Sequence, residues 1–145
     1  MMNNHEDLIT SADAIGLFCR LHMNTKMDIP IRPSQMGVLI FIHRSETLVS
    51  PLMISEFFKI TKPSVTSMIN ALEKKGYIIK KSSPDDGRSY SLTLTEEGLI
   101  LIKSTFKEYL KFVELLQDKM GETNFNEFIR LMVMANTVLH EEENR

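Results

Sequence analysis

A mainly α-helical chain with one small β-hairpin, an α+β arrangement, is what the sequence predicts, and three observations predict it. Apolar residues recur every three or four positions through both ends of the chain, the rhythm of amphipathic helices. Between them, two short helical segments open on Ser50-Pro51 and Thr61-Lys62-Pro63. Directly after these the period drops to two on either side of a Pro-Asp-Asp-Gly turn, as in a hairpin.

The first helix spans about Asp7 to Met27, with Leu8, Ala12, Ile15, Cys19 and His22 forming one stripe. Pro30 and Pro33 end it, because proline lacks the amide that a helix interior needs. Pro33 then suits a first helical position, and Met36, Leu39, Ile40 and His43 carry a second helix to about Arg44. Ser50 can cap a third, short helix that packs through Ile54, Phe57 and Phe58. The fourth helix runs from Lys62 to about Lys75, where Gly76 provides a left-handed end.

Tyr77 to Ser83 reads as a strand, Pro84 to Gly87 as a turn, and Ser89 to Thr95 as a returning strand with Tyr90, Leu92 and Leu94 on one face. Two short helices followed at once by a hairpin are the order of a winged helix-turn-helix. Thr95 can cap the next helix, and Glu96 and Glu97 complement its dipole. Along it Leu99, Ile102, Phe106, Tyr109, Val113, Leu116 and Met120 make three heptads of seam on a helix of about 26 residues, about 39 Å long. Gly121 ends it, and Asn124 with Glu127 reads as a capping box for a last helix striped by Phe125, Phe128, Met132, Ala135 and Leu139.

This divides the chain into 1–30, an N-terminal dimerisation helix; 31–95, a winged helix-turn-helix unit; and 96–145, a pair of C-terminal dimerisation helices. Striped helices at both ends are read as a homodimer interface, through Leu8, Ala12, Ile15, Leu99, Ile102, Phe106, Tyr109, Val113, Phe125, Phe128, Met132 and Leu139. The alternative for the same stripes is intramolecular core.

Charge locates the second surface. The net charge is −2, yet residues 59–88 hold seven basic side chains against three acidic ones. A basic island in an acidic chain suits a confined phosphate-binding face, although a merely solvated face has the same signature. On the fourth helix Val65, Met68, Ile69 and Leu72 share one side at 100° per residue. Lys62, Pro63, Ser64, Thr66, Ser67 and Asn70 lie on the other, where short polar groups allow close approach to base edges in a major groove and Asn can pair with adenine. Lys74, Lys80 and Lys81 are candidates for the DNA backbone, with only one of the two adjacent strand lysines able to face it. Arg88, beside Asp85 and Asp86 at the hairpin tip, is placed to enter a minor groove.

Other chemistry finds little support. One cysteine excludes an internal disulfide framework, and no apolar run approaches the ~20 residues that cross a bilayer. With MMNNHEDL lacking a secretion signal, a cytoplasmic location is expected. No nucleophile elbow, phosphate-cradling glycine loop or metal-ligand spacing among His5, His22, His43 and His140 is present, so neither an enzyme nor a cofactor or metal is expected.

The stretch VTSMINALEKKGYI (Val65–Ile78), then DDGR (Asp85–Arg88), then LTLTEEG (Leu92–Gly98) resembles the pattern of the MarR family, and Arg32 to Leu39 resembles that family's second helix, with Gln35 at its common glutamine. The resemblance covers nearly the whole chain and is most specific from wing to long helix. It implies a bacterial transcription regulator: an obligate homodimer on pseudo-palindromic double-stranded DNA, usually a repressor released by a small aromatic or phenolic ligand. Asp86 and Arg88 match the family's wing pair, which implies their minor-groove role. One branch senses peroxide through a first-helix cysteine, which makes Cys19 a possible redox site, although no tyrosine precedes Tyr77. Met23, Met27, Met36, Met120, Met132 and Met134 lie on helices that line the family's pocket, and serve either as its wall or as core. The rival reading is a winged-helix module that binds an acidic protein.

Overall fold

In a computed structural model the described residues are 4–82 and 89–144. They form helices α1 (Asn4–Asn24), α2 (Pro33–Arg44), α3 (Pro51–Phe58) and α4 (Lys62–Lys74), strands β1 (Ile78–Ser82) and β2 (Tyr90–Leu94), and helices α5 (Glu96–Met120) and α6 (Glu122–Glu143). The mainly α arrangement with one antiparallel hairpin is the predicted fold class. No helix among the described residues is long and apolar enough to cross a membrane.

The helix starts follow the expected chemistry. The Ser50 hydroxyl accepts from the Met53 amide at 3.2 Å, Thr61 accepts from Ser64 at 3.3 Å, and Thr95 accepts from Gly98 at 3.1 Å. Gln35 adds a contact of its own, its Oε1 accepting from the Arg32 amide at 3.1 Å. Gly76 takes φ +84°, so its amide reaches the Glu73 carbonyl and the Tyr77 amide reaches that of Leu72. These paired bonds close α4 in a Schellman motif and aim the chain into β1.

Three details depart from the sequence reading. α1 ends at Asn24 rather than Met27, where the Thr25 hydroxyl donates back to the Leu21 carbonyl. α6 begins at Glu122, directly after Gly121 at φ +83°, so Asn124 and Glu127 form no capping box. Instead the Asn124 amide donates to the Met120 carbonyl at 3.0 Å, and Glu127 takes two hydrogen bonds from Arg130. On α2 the buried side is Gln35, Met36, Val38, Leu39 and Ile42, while His43 faces out.

Strand register pairs Ile78 with Leu94, Lys80 with Leu92 and Ser82 with Tyr90. Leu92 also donates its amide to the Val49 carbonyl at 2.8 Å, which fastens the loop before α3 to the hairpin. The core gathers Met36, Leu39, Ile54, Val65, Ile69, Leu72, Ile78 and Leu92 from the winged unit and takes Leu101 and Ile102 from α5. The first turns of α5 thus share the core of the winged unit. Gly98 marks the join: a Cβ there would collide with the Tyr77 carbonyl, so only glycine lets α5 leave so close to the hairpin. Thr95 reinforces the join by donating its hydroxyl to the Gly76 carbonyl at 2.6 Å.

Beyond that join the molecule changes character. α1 has no buried residue, and α6 has one, Phe125. α1 touches the rest of the chain through rings, with Phe18 5.6 Å from Phe128 and His22 4.4 Å from Phe112 between centroids.

Candidate nucleic-acid interface

Packing fixes which side of α4 is free. Val65, Ile69 and Leu72 are buried, and Lys62, Pro63, Ser64, Thr66, Ser67, Asn70 and Lys74 are all exposed on the side away from the core. The N-terminal turn is pre-ordered, since the Thr61 hydroxyl donates to Ser64 Oγ at 2.9 Å while accepting from its amide. Thr66 donates to the Lys62 carbonyl at 3.0 Å, which leaves its oxygen as an acceptor. Pro63 sits within the first turn, where the missing amide leaves no orphan.

The two strand lysines separate as strand geometry requires. Lys81 pairs with Ser91 on the outer face of the hairpin and is exposed. Lys80 lies on the inner face and turns onto α4, with Nζ 2.8 Å from Asn70 Oδ1, 3.5 Å from Glu73 Oε1 and 5.3 Å from the centre of the Tyr90 ring. Lys80 is thus engaged with α4, while Lys81 stands clear on the opposite face of the strand. Asp86 and Arg88, the expected minor-groove pair, lie outside the described residues, as does Asp85.

A second surface emerged that residue patterns had not singled out. A cleft of about 500 Å³ separates the start of α2 from α4, lined by Arg32, Ser34, Gln35, Ser64, Ser67 and Lys75 among others. It sets two cations and three hydroxyls beside the exposed helix face. The only sequence sign was the stripe Ser64, Ser67, Ala71, Lys75 on one side of α4, which has no meaning until α2 is docked against it.

A cavity of about 620 Å³ lies between α2, α3 and α5. Phe41, Phe57, Phe58, Phe106 and Tyr109 line it together with Gly37, Ile40, Arg44, Ser45 and Leu110. Phe41 and Phe57 lie 4.6 Å apart between ring centres, and Phe57 and Phe58 4.9 Å. Burial pushes the Tyr109 phenol above its ordinary pKa, so it stays protonated and able to donate. None of the six methionines weighed as pocket wall borders this cavity, and Met36 is fully buried in the core. Aromatic rings take their place because α2 and α3 turn Phe41, Phe57 and Phe58 toward α5. Phe57, expected as core, is largely exposed at this opening.

The candidate dimer stripe divides in two. Leu8, Ala12, Ile15, Val113 and Leu139 are exposed, Leu8 at 58% and Leu139 at 65%, and Leu99, Phe128 and Met132 are half-buried. Ile102 and Phe125, at 4% and 8%, are covered by their own chain, while Phe106 and Tyr109 line the cavity. Ile102 is covered because the first turns of α5 pack on the winged unit, whereas Phe106 on the same helix stays 44% exposed. Cys19 is an exposed free thiol on α1. No group of three or more His, Cys, Asp or Glu among the described residues is placed to hold a metal ion.

A model of the MarR family matches residues 29–89, the whole helix-turn-helix and first strand. BilQ, an HTH-type transcriptional regulator of Clostridioides difficile, is 24% identical over 121 residues, which cover 79% of this chain and 81% of that protein. PapX, an HTH-type regulator of Escherichia coli, is 32% identical over 68 residues, 47% of this chain and 42% of PapX. The chain therefore spans most of BilQ but under half of PapX. Among solved structures, PcaV from Streptomyces coelicolor with its natural ligand superposes with TM-score 0.76 at 18% identity, covering 94% of this chain and 96% of PcaV. A MarR mutant from E. coli complexed with operator DNA gives TM-score 0.65 at 18% identity over 73% of this chain and 76% of that one.

Proposed function

We infer that the chain is a member of the MarR family of winged-helix, DNA-binding transcription regulators, and that it is a homodimeric, ligand-released repressor on pseudo-palindromic operators in the cytoplasm. As a member of that family it is a regulator rather than an enzyme. The observation that carries the reading is the α4 face, seven polar or proline side chains left exposed opposite a fully buried apolar row. A helix so docked is held rigidly by its core while its polar side faces out, the arrangement that enters a major groove.

Dimerisation follows from surface left over. The exposed apolar side chains of α1 and α6 include Leu8, Ile9, Ile15, Leu131, Val133 and Leu139, and two striped helices rarely remain bare in water. Residues 1–30 and 96–145 are proposed as the arms of a twofold dimer, which sets two α4 helices on successive major grooves. Arg88 and Asp86 are assigned to the minor groove on the family resemblance. Lys62, Lys74 and Lys81 supply phosphate contacts.

The aromatic cavity supports the ligand half of the proposal. Its rings, the protonated Tyr109 hydroxyl and Arg44 suit a small aromatic molecule bearing an acidic group. It lies where α5 leaves the winged unit, so a molecule wedged there would change the angle between reading heads.

The test is retention of the protein on a ~20-base-pair palindromic duplex across a salt series. Counterion release makes affinity fall steeply with salt, and Asn70→Ala and Arg88→Ala each weaken it while the dimer persists. A salt-insensitive complex, or DNA affinity indifferent to both substitutions, would favour a protein-binding module.

A further inference from the structure

The hydrogen bond between Lys80 and Asn70 has a consequence for which base is read. Lys80 Nζ stands 2.8 Å from Asn70 Oδ1. It is held there from three sides: Glu73 one turn further along α4 at 3.5 Å, the Tyr90 ring at 5.3 Å, and a strand register that puts Lys80 on the same inner face as buried Leu92. An ammonium group has only donors, so it faces the amide through the oxygen and turns the NH2 the other way. That NH2 has no partner among the described residues and belongs to an exposed side chain on the reading face of α4.

The geometry points to Lys80 as a specificity-positioning residue that turns the NH2 of Asn70 toward the bases and its oxygen away from them. An asparagine with both groups free pairs bidentately with adenine, accepting from N6 and donating to N7. With its oxygen turned onto Lys80, Asn70 presents its NH2 to the groove; adenine N7 and thymine O4 each offer such a donor one acceptor, whereas guanine offers two adjacent ones, O6 and N7, and answers it best. The base under Asn70 is then guanine, set by a strand residue that itself touches no base. This inference rests on the DNA-reading role proposed above for α4.

Selection of bound sites from a random duplex pool tests it with the intact chain, Asn70→Ala and Lys80→Met. Asn70→Ala identifies the position in each half-site where preference disappears. The wild-type protein enriches guanine at that position, and Lys80→Met shifts it to adenine by about tenfold, leaving the other positions unchanged. Adenine in the wild-type sites, or guanine persisting in Lys80→Met, overturns the assignment. So does a Lys80→Met protein that weakens on every sequence alike with a shallower salt dependence, the mark of a plain phosphate cation. A wild-type protein that enriches no sequence refutes DNA reading by α4, and this inference with it, a result distinct from the others.

Discussion

The winged unit and the terminal helices solve the burial problem in opposite ways. Residues from Ile31 to Ile102 close on themselves around a core whose largest side chains are fully buried, with three helix starts capped and the hairpin fastened to the loop before α3 and to the start of α5. α1 and α6 are comparable in length to that whole helical set, yet contribute one buried residue between them. Apolar stripes run along the arms as they do along the central helices. The difference is that the centre is covered within the chain, whereas the arms are covered there only in part, at Phe125 and at the rings of Phe18, His22, Phe112 and Phe128. An apolar stripe marks a surface that needs covering, and only packing tells whether the cover is the same chain or another copy.

Substitutions on the two sides of this contrast should separate by what they break. Leu39→Ala removes a fully buried side chain from the winged unit and should cost about 2–5 kcal/mol of stability, read by chemical denaturation as an earlier midpoint at unchanged slope. Leu139→Asp, on an arm position 65% exposed in the single chain, should leave the winged unit folded but weaken self-association by about 2–4 kcal/mol, read as concentration-dependent mass in sedimentation. Equal stability losses for both in a monomeric species would erase the distinction. A smaller effect comes from Thr61→Ala, which removes the cap at the start of the reading helix and should cost about 1 kcal/mol.

The smallest sits where the two regions meet. Burial raises the Tyr109 phenol above its ordinary 10.0, so the folded state favours the protonated form. Its contribution is complete below pH 10.0, where the unfolded phenol is also neutral, and declines as pH rises from there through the folded value. Tyr109→Phe should flatten that alkaline decline, measured as denaturation midpoints on either side of pH 10.0.

Much of this was legible in the residues. The α4 faces, the Ser50, Thr61 and Thr95 caps, the Gly76 terminator and the hairpin all arise from signals within a few positions of each other, which a linear reading can weigh. What escaped depends on contacts between distant segments. Lys80 looks like any strand lysine until β1 lies along α4 and brings Asn70 and Glu73 beside it. The aromatic cavity takes Phe41 from α2, Phe57 and Phe58 from α3 and Tyr109 from α5, a set with no shared periodicity. Ile102 and Val113 occupy the same seam of α5, yet one is core and the other exposed, because the winged unit covers only the first turns. Asn124 and Glu127 had the spacing of a cap, but Gly121 lets α6 begin earlier and Arg130 claims the carboxylate.

Sedimentation of the chain alone and with a palindromic duplex bears most directly on the claim that paired arms present two reading helices to DNA. Paired arms give a species of about 33 kDa, twice the 16.7 kDa chain, that joins one duplex as two chains and leaves it as salt is raised. A stable 16.7 kDa species that ignores the duplex at low ionic strength would contradict it.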